Sequence, residues 1–345
     1  MSADLILVTG GTGFVGSHLL LKLLHAGYSV RTTVRSLDRE ASLRAMLRKA
    51  GVEAGENLSI VRADLTHDQG WQAAVARCRF VHHVASPFPA AVPKDENELI
   101  VPAREGTLRV LRAAHQAGVQ RVVLTSSFAA IGYGHDRNRT APFTEEDWSN
   151  IDSPDIGAYQ KSKTLAERAA WEFVSGEGRG LELVSVNPVG IFGPALGPDI
   201  GTSIGIIRDM LKGKYPGVPR IPTGIIDVRD VAELHIRAMT FPHAAGQRYL
   251  ATASDFIPMV EIARFLQNAL GPAASRIKAR ELPNFIIRLV ALYDKTARLI
   301  VPELGKTKHA SNVKARTTFD WAPISNEEAI ASSGRSVMDL GLADV

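Results

Sequence analysis

A parallel sheet wound with helices on both faces, followed by a smaller C-terminal lobe, is the α/β fold class that this sequence predicts. Short apolar runs alternate with helical patterns through the first half, and a Gly-rich turn joins the first run to the first helix. The runs lack strict polar alternation, which suits strands covered on both faces. At 345 residues the chain exceeds one simple core, so two domains or one enlarged α/β domain are expected.

The strands are predicted at Leu5 to Val8, Ser29 to Val34, Leu58 to Val61, Phe80 to Val84, Arg121 to Thr125 and Leu183 to Val186, each β-branched or Leu-rich. Between them, helical patterns run near Phe14 to Ala26, Ser42 to Ala50, Gln72 to Arg77, Ile100 to Ala117 and Ala158 to Val174. After Asn187-Pro188 the rhythm changes: Gly and Pro become dense in Gly193-Pro194, Gly197-Pro198, Tyr215-Pro216-Gly217 and Ile221 to Gly224. Residues 1–187 are therefore expected to form a wound α/β domain. Residues 188–345 are expected to form mainly a loop-rich second lobe, with segments returning to the first domain. Helices are predicted again at Asp230 to Met239, Met259 to Leu270 and Asn284 to Leu299, and a strand at Arg248 to Ala251.

Composition narrows the function classes. Hydrophobic content of 45% against 22% charged residues fits a globular chain with a sizeable core rather than a disordered one. The net charge is only +4, and basic residues are scattered instead of forming an aromatic-interleaved stripe, so nucleic acid is not an expected partner. A single cysteine, Cys78, excludes an intramolecular disulfide framework and reads as a reduced core thiol. The N-terminus runs straight into an apolar strand without a basic region or cleavage site, and the apolar stretch Phe285 to Val301 is interrupted by Arg288, Asp294, Lys295 and Arg298. Neither an export signal nor a membrane span is expected, and the predicted location is the cytoplasm.

The most specific local motif is Val8-Thr9-Gly10-Gly11-Thr12-Gly13-Phe14-Val15-Gly16, between a strand and a helix. Glycines permit a tight turn and close backbone approach, and the helix start offers free N–H groups to a pyrophosphate. This context predicts a Rossmann-type dinucleotide fold, with Gly10, Thr12, Gly13, Phe14, Val15 and Gly16 at the cofactor. Two registers fit, Gly10-x-x-Gly13-x-x-Gly16 and Gly11-x-Gly13-x-x-Gly16. Where an NAD enzyme places an acidic residue after the second strand, this chain reads Val34-Arg35-Ser36. Arg35 suits a 2′-phosphate, so NADP(H) is the expected cofactor. Asp64, before Leu65 at the end of the third strand, is a candidate acceptor for the adenine amino group or an ordinary helix cap.

Tyr159-Gln160-Lys161-Ser162-Lys163 places a phenol and an ammonium four residues apart on one helical face. A neighbouring cation lowers a phenol's pKa and readies it for proton transfer, which together with the Gly-rich turn points to carbonyl chemistry; the spacing alone is that of an ordinary solvated surface pair. His82-His83 lacks further ligand spacing, and adjacent strand residues point to opposite faces, so no metal site is expected. Asp227-Val228-Arg229-Asp230 opens an amphipathic pattern and reads as capping and lobe packing.

Together these motifs resemble the extended short-chain dehydrogenase/reductases, in particular the dihydroflavonol reductase, cinnamoyl-CoA reductase and microbial aldehyde or ketone reductase branch. The resemblance rests on Thr9 to Gly16, Val30 to Arg35, His83 to Pro87, Val123 to Ser127, Tyr159 to Lys163, Asn187-Pro188 and Asp227 to Asp230, in that order over nearly the whole chain. It implies a catalytic Ser127, with Ser126 as the competing assignment, beside Tyr159 and Lys163. It also implies cofactor contacts from Asp64, Leu65, Val84, Ala85, Ser86, Pro188, Val189 and Ile191. In the implied reaction Tyr159 protonates the carbonyl oxygen while nicotinamide delivers hydride, Ser127 donates to the developing alkoxide, and Lys163 holds the ribose. Bringing a phenol from a pKa of about 10 to near 7 requires about 4 kcal/mol of preferential phenolate stabilisation, expected from Lys163 and the oxidised ring.

One departure bears on the substrate. Dihydroflavonol reductases usually carry a polar residue shortly after the catalytic serine, whereas here Phe128-Ala129-Ala130-Ile131-Gly132 follows. Flavonoid specificity is therefore not expected, and Phe88, Phe128, Ile131, Phe192 and Tyr215 are candidates for an apolar substrate pocket or for ordinary core. The expected partner is a small carbonyl compound, and the protein is expected to be a monomer or homodimer. A nucleotide-sugar epimerase or dehydratase is disfavoured by Arg35, and a non-catalytic NADP(H) sensor by the Ser127, Tyr159 and Lys163 set.

Overall fold

The computed structural model describes residues 4–87 and 93–343. Its chain divides into two compact units, Met1–Ala130 with Ala158–Asn187 and Val231–Tyr249, and Ile131–Gly157 with Pro188–Asp230 and Leu250–Val345.

In the first unit the strands are β1 (Leu5–Val8), β2 (Ser29–Val34), β3 (Leu58–Arg62), β4 (Phe80–His83), β5 (Arg121–Thr125) and β6 (Glu182–Pro188). The helices are α1 (Phe14–His25), α2 (Arg39–Lys49), α3 (Trp71–Val75), α4 (Asn97–Gln116) and α5 (Ala158–Ser175). With the strand Arg248–Ala251 they make one seven-stranded sheet in the order Arg248–Ala251, β6, β5, β4, β1, β2, β3. The pairings of β1 with β2 and β4, of β2 with β3, and of β5 with β4 and β6 are all parallel. The order reverses between β1 and β4, where a doubly wound sheet opens a crevice at its C-terminal edge.

Side-chain alternation divides the sheet between two layers. Leu7, Val81, Val122, Leu124 and Leu183 pack with Trp71, Val110, Leu111, Ala114 and Phe173 of α3, α4 and α5 in one buried cluster. On the other face His82 meets His235, and Arg121 donates to the carbonyl oxygens of Ala238, Met239 and Phe241, capping the C-terminal end of the helix Val228–Thr240. Both faces are therefore covered, which explains why these strands lack a strict apolar–polar alternation. Cys78 is a buried free thiol whose pKa burial pushes up.

In the second unit Gly190–Phe192 pairs in parallel with Ile225–Asp227. Ser333 and Ser336 of the helix Asn326–Asp339 accept from the N–H groups of Gly193 and Ala195. Phe143 and Ala310 form a parallel bridge, which ties 131–157 to the C-terminal part of the same unit. The single helix expected over Asn284 to Leu299 is two, Asn284–Val290 and Lys295–Ile300. Asp294 causes the break: its side chain accepts from the Ala297 N–H at 2.8 Å and starts a new helix. Among the described residues no helix is long and apolar enough to cross a membrane.

Candidate active site

β1 passes into the Gly-rich turn through Thr9, whose buried hydroxyl joins two loops. Thr9 Oγ1 accepts from the N–H groups of Val84 and Ala85 at 3.0 and 2.9 Å and lies 3.0 Å from His83 Nδ1. Accepting two N–H groups leaves the hydroxyl proton for His83, which requires a neutral ring. Burial, followed by the charge of Lys163, lowers the His83 pKa to about 3 and holds it so. From β2, Thr33 and Thr32 accept from the N–H groups of Gly10 and Gly11, each at 3.1 Å.

The glycines do two kinds of work. Gly10 has φ +70°, and a Cβ there would lie 3.0 Å from Ala85 Cβ. At Gly11 it would lie 2.2 Å from Thr32 Oγ1, and at Gly16 2.3 Å from the Gly10 carbonyl oxygen. These three close the turn upon itself. Gly13, extended at the N-cap of α1, would meet nothing nearer than 3.3 Å. Thr12, Gly13, Phe14 and Val15 are only half-buried, unlike Gly16. A bare backbone at a partly open helix start fits a dinucleotide pyrophosphate.

Arg35 stands exposed at the exit of β2. Asp64 is half-buried at the exit of β3, where Oδ1 accepts from Thr66 N–H at 2.9 Å and Thr66 Oγ1 at 2.8 Å. The Thr66 backbone hydrogen bond is the main cause holding its carboxyl below the usual range, with a smaller contribution from the Arg35 charge. Asp64 thus closes its own turn with one oxygen. Beside it Leu65 is half-buried, and a Cβ on Gly106 of α4 would come within 3.0 Å of Leu65 Cβ.

The end of β5 sorts the two candidate serines. Ser126 is buried and donates to Glu167 Oε2, whereas Ser127 is half-buried and close enough to Tyr159 to lower the phenol's pKa. Tyr159 and Lys163 lie one turn apart on α5, both half-buried. Lys163 Nζ donates to Ser86 Oγ at 3.1 Å, bringing the loop after β4 to α5. Burial lowers the Lys163 pKa to about 8, opposed by the Glu167 charge. Burial raises the Tyr159 pKa, and the Ser127 hydrogen bond only partly offsets it. The phenol is therefore a neutral acid in the resting protein rather than one shifted towards neutrality, because desolvation outweighs its neighbours.

A buried network behind these groups escaped the sequence reading. Glu167, one turn beyond Lys163, accepts from Arg248 Nε at 2.7 Å, Asn187 Nδ2 at 2.7 Å, Ser185 Oγ at 2.9 Å and Trp171 Nε1 at 3.2 Å, besides Ser126. Arg248 holds the carboxyl below its ordinary pKa against the opposing effect of burial. Lys163-x-x-x-Glu167 was the available signal, but such spacing is common on solvated helices.

The remaining candidates lie apart in kind. Phe88 falls outside the described residues. Phe128, Ile131 and Phe192 are buried, while Tyr215 is 38% exposed. Pro188 ends β6, Val189 N–H donates to Ala251 O at 3.1 Å, and Ile191 sits in the short strand paired to Ile225–Asp227. His82 and His83 have different partners, His235 and Thr9. Asp227 accepts from Arg229 N–H and side chain, and Asp230 accepts from Trp321 Nε1 and Ile324 N–H.

Residues 6–251 match the NAD dependent epimerase/dehydratase family. An anthocyanidin reductase ((2S)-flavan-3-ol-forming) of Vitis vinifera is 36% identical over 273 residues, covering 75% of this chain and 79% of that protein. A cinnamoyl-CoA reductase of Medicago truncatula is 35% identical over 274 residues, covering 77% and 82%. A ketoreductase of Aspergillus niger is 33% identical over 298 residues, covering 82% and 87%. Among solved structures, Gre2 of Candida albicans in complex with NADPH has a TM-score of 0.79 at 26% identity, covering 98% of this chain and 99% of that one. Yeast methylglyoxal/isovaleraldehyde reductase Gre2, complexed with NADPH, reaches 0.82 at 24% identity, covering 99% and 100%. With the Gly-rich turn and the Ser127, Tyr159 and Lys163 cluster in place, the chain belongs to the NAD dependent epimerase/dehydratase family, the extended short-chain dehydrogenase/reductases, and is an oxidoreductase of its reductase branch.

Proposed function

We propose that this protein reduces an aldehyde or ketone to its alcohol with NADPH in the cytoplasm. The observation that carries the reading is the approach of the Ser127 and Tyr159 hydroxyls to each other, with Lys163 one turn along the same helix. Two hydroxyls that meet each other can both turn to one carbonyl oxygen, and preorganised donors matter most where negative charge develops. NADPH, when bound, supplies the hydride. Gly10 to Gly16 would hold its pyrophosphate, Arg35 its 2′-phosphate, and Val84 to Ser86 the nicotinamide side.

The chain's own part is proton management. Tyr159, kept neutral by burial, gives its proton to the carbonyl oxygen as that oxygen gains charge. Ser127 donates to the same oxygen and holds it in place. Lys163, cationic at neutral pH with a pKa of about 8, stabilises the phenolate left behind and donates to the ribose. The names of the relatives, a ketoreductase and a tetraketide alpha-pyrone reductase among them, support a carbonyl substrate.

Purified protein with NADPH and a panel of aromatic and aliphatic aldehydes and ketones tests the reading. Oxidation of NADPH with at least one carbonyl, followed by the loss of its reduced-nicotinamide absorbance and absent in Tyr159→Phe, is expected. No turnover with any carbonyl overturns it.

A further inference from the structure

Glu167 is the most fully engaged carboxylate near the reacting groups, yet neither hydride nor proton transfer uses it. It is 1% exposed, and its partner Arg248 is 8% exposed. Burying two charges costs more than an apolar pair of the same size would, so an ion pair here needs another explanation than stability. Its contacts supply one. Oε2 receives Ser126 Oγ and Asn187 Nδ2, and Asn187 Nδ2 also lies 3.3 Å from the Ser127 carbonyl oxygen. Ser185 Oγ reaches both Glu167 Oε1 and Asn187 Oδ1, each at 2.9 Å. One carboxylate thus grips the backbone on both sides of the Ser127 hydroxyl, through the preceding side chain and through Ser127's own carbonyl.

We propose that Glu167 is a positioning residue for the reduction: clamped by Arg248, it fixes the Ser126–Ser127 segment through Ser126 and Asn187 and so aims the Ser127 hydroxyl at Tyr159. A second effect follows from its place on α5. Lys163 faces Tyr159 and Glu167 on its own helix, and His83 and Ser86 from β4 and the loop after it. Of these, Glu167 supplies the negative charge that opposes Lys163's loss of its proton. This rests on the roles given above to Ser127, Tyr159 and Lys163.

Ser126→Ala is the cleaner probe, because it removes one donor from a carboxylate that keeps four others and leaves no buried donor unpaired. On a carbonyl that the parent protein reduces, kcat should fall about tenfold, as for a lost hydrogen bond to a charged group, with KM and NADPH affinity within about twofold. Glu167→Gln should lower kcat further and move the alkaline fall of the kcat–pH profile to lower pH. Where Glu167→Gln does not fold, Ser126→Ala decides alone. The proposal is overturned if kcat per folded molecule stays within about twofold of the parent in each soluble variant. Absence of turnover in the parent itself would instead sink the carbonyl reductase reading.

Discussion

Arg35 is a single side chain whose chemistry separates two cofactors. It stands exposed where an NAD enzyme would place a carboxylate, and its fork matches a phosphate. Arg35→Ala should weaken NADPH binding by about 10- to 100-fold, the worth of one or two charge-assisted hydrogen bonds, while NADH binding changes little. Titration of both cofactors checks this, and an unchanged NADPH to NADH ratio would refute the assignment. Tyr159→Phe should cost about 10²- to 10⁴-fold in turnover, the usual range for a lost proton donor, with NADPH affinity held within a few fold. Residues of this kind stand out as candidates in the sequence because their motifs need particular chemistry at particular spacing. Glu167 and Arg248 were not, since 81 residues separate them and only the fold joins them. Nor could spacing sort Ser126 from Ser127, because what separates them is the direction in which each side chain leaves the end of β5.

At the scale of elements, the Gly-rich turn depends on backbone packed against backbone. A Cβ at Gly16 would sit 2.3 Å from the Gly10 carbonyl oxygen, which is main chain and cannot swing aside. Gly16→Ala should therefore destabilise the protein by about 1–3 kcal/mol and weaken NADPH binding, whereas Gly13→Ala, with its nearest atom at 3.3 Å, should do much less to the fold. Chemical denaturation of both variants measures the contrast, and equal stabilities would contradict this account. Strands β1, β2 and β5 were readable to the residue, since polar or Gly-containing turns flank each run. The strands of two or three residues between 190 and 258 carry no period at all. The helix Asn326–Asp339 was readable in principle: Ser325-Asn326-Glu327-Glu328 is a capping box, and Ser325 does accept from Glu328 N–H. Asp294 shows the same physics in reverse, an acidic cap dividing what apolar periodicity joined.

For the molecule taken whole, the buried histidines set how its first unit responds to acid. His82, His83 and His235 are all inside it, at 0–1% exposure. His82 Nδ1 faces His235 Nδ1 at 3.3 Å and His235 Nε2 faces Thr125 Oγ1 at 2.9 Å, so one ring must accept where the other donates, and both cannot be imidazolium. Burial pushes all three pKa values down, to about 3 for His83 and His235 and well below the ordinary value for His82. In the unfolded chain each titrates near about 6.5. Between these limits the unfolded state binds protons that the folded state refuses, so stability is complete above about pH 6.5 and falls as pH drops towards 3. Each histidine contributes a slope of up to about 1.4 kcal/mol per pH unit. Carboxylates add to the loss only lower down, because unfolded Asp and Glu remain ionised until about pH 4.5. Near pH 5, then, unfolding of this unit should be accompanied by uptake of about three protons from these side chains, and His235→Gln should remove about one of them. Calorimetry in buffers of different ionisation enthalpy measures that uptake, and equal uptake by parent and His235→Gln would show that His235 is already protonated in the folded protein.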